Sequence, residues 1–339
     1  RELAFTLAQC WTEPPPLDIV DGRARKHDKR DGSIIAEAIS PHVEGIMALS
    51  IPNLKALGIK LVTQNQLPVA ANLASAAVMA NEAPAEVRVE ALKMLGKQYP
   101  DSKELGTTLD ALFANAKTPE KLRIASLDVL LQRDKSLAVN RAGKLLENGS
   151  TNEQQHAFSI LAMAATAEAD GLLAMQLDRL VAGKLAPALQ LDMIEAAQTR
   201  SEAVPALREK LADFEKPRSA LAATPGAFGE CLEGGDSTAG KKIVQENLAA
   251  NCLACHKFEK RDTSNVGPPL DKISSQRDRA YLLEALVAPQ AKIAPGYGLI
   301  TVTLKKGDPV IGALAAVTDK EVQVRLADGK VQKIAVADI

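Results

Sequence analysis

Leu54-Lys-Ala-Leu-Gly-Ile-Lys-Leu-Val62, Val87-Arg-Val-Glu-Ala-Leu-Lys-Met-Leu95, Leu122-Arg-Ile-Ala-Ser-Leu-Asp-Val-Leu130, Gln155-His-Ala-Phe-Ser-Ile-Leu-Ala-Met163 and Leu189-Gln-Leu-Asp-Met-Ile-Glu-Ala-Ala197 are versions of one apolar helical pattern, starting 33, 35, 33 and 34 residues apart. After a short polar turn each is followed by a second such pattern, as over residues 105–114, 137–146, 172–181 and 204–211. One helical hairpin of this size cannot bury its own apolar face, so a period of this length means hairpins stacked on one another. Residues 33–216 are therefore expected to form about five helical repeats. The capping residues agree: Thr118-Pro119-Glu120-Lys121 sets a cap before a first-turn proline, and Thr151-Asn-Glu-Gln154 does similar work one repeat later.

Arg88 and Arg123 recur at matching positions, and with this spacing the array is similar to HEAT repeats. The resemblance implies an α-solenoid whose curved face is offered to a partner, or a spacer between other modules. His42, His156 and the six methionines between Met47 and Met193 fall within it, mostly on apolar faces, and read as core or surface rather than as ligands.

The bulk properties exclude more than they assign. Of 339 residues, 41 are Lys or Arg and 42 Asp or Glu, for a formal charge of −1; from Pro225 onward there are 15 basic and 14 acidic residues. Nothing here favours nucleic acid or an anionic membrane, and no apolar run is long enough to span a bilayer. Aromatics make up only 3%, which suits packed helices. The chain starts at Arg1 within a helical pattern, as expected of a processed or truncated product. Residues 14–32, with three prolines and a dense run of charges, read as a long loop, so 1–32 is taken as an amino-terminal helix and loop, with His27 in an exposed role.

Asn251-Cys252-Leu253-Ala254-Cys255-His256 brings a different chemistry. Cys-x-x-Cys-His is the spacing at which a c-type haem is attached covalently. Two thiols on one helical turn reach the two vinyl groups of a porphyrin, and the next residue supplies the proximal imidazole. A thioredoxin-like pair or half of a zinc site is the competing reading, but Cys10 and Cys231 stand singly and there is no second Cys-x-x-Cys. The expectation is one covalent haem c on Cys252 and Cys255, with His256 on the iron. Such attachment takes place outside the cytoplasm, so a periplasmic or otherwise exported location follows, with Cys10 and Cys231 either in a disulfide or as buried thiols.

Around the motif, residues 217–238 read as a linker broken by glycine and proline, and 239–250 and 279–287 as helices on either side of a Gly-Pro turn. The tail changes period: 299–304, 310–315, 321–326 and 331–336 alternate as strands, with turns at Lys306-Gly307-Asp308 and Asp328-Gly329. The fold class expected is mostly α: a HEAT-like α-solenoid over 33–216, a small all-α cytochrome c domain over 239–297, and a short antiparallel β tail, a small barrel or curled sheet, over 298–339.

Gly234-Gly235-Asp236, Gly240-Lys241-Lys242-Ile243, Cys252-Leu-Ala-Cys255-His256-Lys257, Val266-Gly267-Pro268-Pro269-Leu270, Tyr281-Leu-Leu-Glu284, Pro289 and Ile293-Ala-Pro-Gly-Tyr297 together resemble the haem-binding domain of planctomycete- and verrucomicrobial-type exported proteins. That family joins a HEAT-like array to a terminal cytochrome c module, often behind a propeller resembling sugar dehydrogenases; no propeller is present in this sequence. The resemblance implies that Pro268 accepts a hydrogen bond from His256 Nδ1 and that Leu270 covers the porphyrin. The sixth iron position stays open between Lys292, Tyr297, a residue from elsewhere, and no protein ligand, because no methionine follows Met193. Without a thioether the potential is expected to be low. The leading functional expectation is single-electron transfer between a docked or formerly fused dehydrogenase and another redox carrier. A haem enzyme or a binder of peroxide or gas, with Lys292 or Arg277 as weak acid/base groups, is the alternative, and a binding scaffold with structural haem is the third.

Overall fold

The structure, a computed structural model, describes residues 2–15, 24, 26–28, 30–221, 224–259, 267–294, 296–326 and 330–339. Most of the loop expected over 14–32 lies outside these residues, as do Val266, Pro295 and the Asp328-Gly329 turn. The described chain is mostly helical, with one small antiparallel sheet at its carboxyl end. It divides into two compact units, 1–14 with 27–217, and 15–26 with 218–339.

The first unit contains α1 (Glu2–Gln9), α2 (Ser33–Ile39), α3 (Val43–Met47), α4 (Pro52–Gln64), α5 (Ala71–Met79), α6 (Ala85–Gln98), α7 (Lys103–Ala114), α8 (Glu120–Arg133), α9 (Lys135–Asn148), α10 (Thr151–Ala164), α11 (Ala167–Val181), α12 (Pro187–Ser201) and α13 (Pro205–Arg218). The five segments quoted at the outset lie in α4, α6, α8, α10 and α12, and each of these helices packs on the next in that series. Helices α5 and α7, and α9 and α11, pack in the same way. One apolar core runs from Ile39 to Leu211. Helix α1 packs on α4, with Gln9 Nε2 donating to Leu57 O at 2.9 Å.

Equivalent positions in four of these helices make similar hydrogen bonds. In α4, α6, α8, α10 and α12 the third residue after the N-cap is buried: Leu54, Val87, Leu122, Glu153 and Leu189. In α10 this slot holds a glutamate, so the true register begins at Glu153 and not at Gln155, two residues from where the apolar pattern alone sets it. The next residue donates backwards to a carbonyl in four of the five helices. Arg88 Nε reaches Val78 O at 2.7 Å, Arg123 Nη1 reaches Thr118 O at 2.5 Å, Gln154 Nε2 reaches Leu146 O at 2.9 Å and Gln190 Nε2 reaches Leu185 O at 3.1 Å.

The caps differ from expectation. Ser150, not Thr151, caps α10, in a capping box with Glu153. Thr118 does not cap α8; its hydroxyl is buried and donates to Leu112 O at 2.8 Å, satisfying a carbonyl at the end of α7. Glu153 also accepts from Arg123 Nε at 2.5 Å. Burial pushes the Glu153 carboxyl up, but hydrogen bonds from Arg123 and Ser150 outweigh it and hold the group below the ordinary glutamate range.

In the second unit the stretch expected to be an irregular linker contains 3-10 turns over Ser219–Leu221 and Pro225–Leu232, the latter packed on α15 (Arg279–Val287) and pinned by an ion pair between Arg218 and Glu230. Helix α14 spans Ser237–Glu246, shorter than the 239–250 expected. Asp236 caps its start, and Asn247 ends it by accepting from the backbone of Ala249 and Ala250, which competes with the helical pattern.

The tail forms β1 (Leu299–Val302), β2 (Val310–Val317), β3 (Glu321–Arg325) and β4 (Val331–Ala335), an antiparallel meander in that order. Of the barrel or curled sheet expected it is the sheet, since β1 and β4 are its two edges and do not pair; beyond the strands, Lys305 donates its backbone N–H to Asp338 O at 2.8 Å and Nζ to Ala337 O at 2.7 Å. Val302, Val310, Val324 and Ile334 make its small core.

Candidate functional site

The Cys-x-x-Cys-His stretch follows α14 by a tight reversal. Asn251 adopts a left-handed conformation with φ of 39°, and Cys252–Ala254 then form a single 3-10 turn. Cys252 O accepts from the backbone of both Cys255, at 3.2 Å, and His256, at 2.9 Å. Two cysteines three residues apart are thus carried by one turn, as covalent attachment to a flat ring requires. Both are thiols, Cys252 half-buried and Cys255 exposed.

The turn is zipped to the Gly-Pro-Pro-Leu segment residue by residue. Gly267 N donates to Cys255 O at 2.7 Å, and Leu270 N to Lys257 O at 2.7 Å. Between these bonds, His256 Nδ1 lies 2.9 Å from Pro268 O. A carbonyl only accepts, so Nδ1 carries a proton, and of the two neutral tautomers this contact selects the one whose Nε2 keeps its lone pair. Phe258 meets the imidazole edge-on, with ring centroids 6.4 Å apart. Pro268 and Leu270 are both half-buried.

These donors suit a porphyrin better than a bare ion. Among the described residues no three His, Cys, Asp or Glu side chains converge as metal ligands, whereas a haem iron asks of the protein only an oriented imidazole, with the ring held by thioethers. The surroundings are open and apolar. Among the described residues none between Leu211 and Val302 is buried, and Ile243, Leu248, Leu286 and Ile293 are 55%, 54%, 81% and 50% exposed.

Lys292, expected as a candidate sixth ligand, is engaged elsewhere. Its Nζ donates to Glu284 Oε2 at 2.6 Å and sits 5.7 Å from the centre of the Tyr281 ring, which Arg277 also covers at 4.8 Å. The hydrogen bond and charge of Glu284 raise the Lys292 pKa. An amine ligates iron only when neutral, so this pairing opposes that role. Tyr297 is half-buried, its N–H bonded to Ala294 O at 3.0 Å. Cys10 is half-buried and Cys231 exposed, so the buried-thiol expectation describes neither.

Sequence reading left three contributors to this geometry unassigned: Asn247, Asn251 and Gly267. A pair of asparagines flanking the end of a helical pattern is a turn signal that announces the first two. Gly267 reads only as part of a Gly-Pro turn, and its closeness to His256 depends on what faces it. Comparison with known proteins found no family model, no curated protein and no solved structure that matches this chain.

Proposed function

We propose that this chain is an exported c-type cytochrome that passes single electrons between a docked dehydrogenase and another redox carrier. Cys252 and Cys255 would hold the porphyrin through two thioethers. His256 would supply the proximal imidazole, with Nε2 the nitrogen left for the iron. Bound haem supplies the one-electron chemistry; the chain fixes the imidazole's tautomer through Pro268 and covers the ring edge with Leu270. The observation that carries this reading is the 2.9 Å contact between His256 Nδ1 and Pro268 O, found directly beside two thiols on one turn. A hydrogen bond at this position selects Nε2 as the ligating atom.

The helical unit is read here as a HEAT-like solenoid serving as docking scaffold. The equivalent buried positions and back-bonding donors of its alternate helices support this, as does a groove across α4, α6 and α8 with Leu57, Val89 and Ile124 in its floor and Lys60, Glu86 and Asp128 at its rim. Among the described residues no helix is long and apolar enough to cross a membrane.

The test is expression in a host that attaches c-type haem to exported proteins. The expected result is haem that stays with the polypeptide after denaturation and is lost in Cys252→Ala/Cys255→Ala; a chain that gains no covalent haem overturns the reading. A second reading, a binder of gas or peroxide at an open sixth position, draws on the engagement of Lys292 by Glu284. Spectra of the reduced protein with and without carbon monoxide separate the two, since an iron with two strong axial protein ligands ignores the gas.

A further inference from the structure

We infer that Gly267 is a positioning residue for His256, and that the absence of a side chain there is what lets the Pro268 carbonyl hold the imidazole. A Cβ at Gly267 would lie 2.8 Å from His256 Cε1, 2.9 Å from His256 Nδ1 and 3.1 Å from Cys255 O. Ordinary carbon contacts are about 3.5–4.0 Å, so something must move.

None of the three atoms can give way cheaply. Two belong to a rigid ring whose Nδ1 is committed to Pro268 O, and the third is a backbone oxygen held by the Gly267 N–H itself at 2.7 Å. The constraint is spatial rather than conformational, because Gly267 does not have the positive φ found at Gly234, Gly296 and Gly307. It is also local: a Cβ at Gly229, Gly235 or Gly240 in the same unit would meet nothing within 4 Å. Substitution at Gly267 must therefore either rotate the imidazole away from its acceptor or part the two zipped segments. Both outcomes release the Nδ1 proton.

The consequence for the iron rests on the haem reading proposed above; the consequence for the tautomer does not. A histidine ligand whose distal N–H is bound to a carbonyl is more basic and favours the oxidised metal. Losing that bond makes the ligand a poorer donor.

Two measurements test this. Nitrogen-15 NMR of the full-length Cys252→Ser/Cys255→Ser chain, which cannot attach haem, reports which ring nitrogen of His256 carries the proton. The Nδ1–H form is expected, with a shift toward Nε2–H on adding Gly267→Ala and no shift on adding Gly229→Ala. An Nε2–H imidazole in the parent chain, or an unchanged Nδ1–H signal with Gly267→Ala, overturns the inference. In haem-loaded protein, Gly267→Ala is expected to raise the reduction potential while Gly229→Ala leaves it in place; equal potentials in all three also overturn it. If the parent chain never takes up haem but the tautomer responds as stated, the cytochrome reading fails and the positioning role stands.

Discussion

Two stretches of this chain carry apolar residues on helices and use them in opposite ways. Between Ile39 and Leu211 the helices close over a continuous core in which Phe158, Leu92, Leu95, Leu127 and Leu161 are fully buried. Between Leu211 and Val302 no described residue is buried, although α14 has an apolar stripe as clear as any in the first unit and α15 carries Tyr281, Leu282, Leu283 and Leu286. In the first unit each apolar helix face meets neighbouring helices that close over it. A stretch of about 60 residues with two short helices does not reach that point from its own side chains and commonly recruits a metal, disulfides or another group to do so.

The largest expected effect sharpens this contrast directly. With haem attached, amides of α14 and α15 should be protected from hydrogen exchange; in Cys252→Ala/Cys255→Ala they should exchange far faster, with α6, α8 and α10 unchanged. Equal protection of α14 and α15 with and without the cysteines would break the comparison. Next in size is truncation. Phe158→Ala should destabilise the first unit by about 3–5 kcal/mol in denaturant unfolding. Leu286→Ala, at a position 81% exposed, should change the haem-free chain by no more than about 0.5 kcal/mol.

The polar bond inside the helical core comes third. Glu153→Gln breaks the charged pair with Arg123 and should cost about 1–3 kcal/mol. Since hydrogen bonding holds the folded-state pKa of Glu153 below its unfolded value, its contribution is complete above the ordinary glutamate range and is lost as pH falls through the folded value. Acid should therefore weaken the parent chain's first unit more steeply than that of Glu153→Gln, as measured by unfolding at a series of pH values. Ser150→Ala, which removes the cap alone, should cost about 1 kcal/mol. Asp192 offers the smallest effect and the opposite sign. Burial raises its pKa, so the ionised group is a burden at neutral pH, and Asp192→Asn should leave the unit as stable or slightly more so there.

The sequence came within two residues of the register of every repeat, and the place where it slipped is instructive. Glu153 occupies the slot that leucine or valine fills in the other four helices. A pattern read for apolar residues skips it, since burial of a glutamate becomes favourable only once Arg123, 30 positions away in the chain, and the Ser150 cap are in place. The same holds for Thr118, which reads as a cap and instead ties off the helix before it. Asn247 cut α14 short for a local reason that was in principle legible.

What the amino-acid order determined alone is local and covalent: the helical period with its hairpin unit, the alternation of the last forty or so residues, and two thiols with an imidazole at a fixed spacing, because each depends on chain geometry over a few residues. Only the tertiary structure decided which charged residue goes inside, that the sheet stays open, and that Gly267 and Pro268 face His256. Those outcomes depend on which distant groups meet, and a contact between residues far apart in the chain leaves no periodic trace in it.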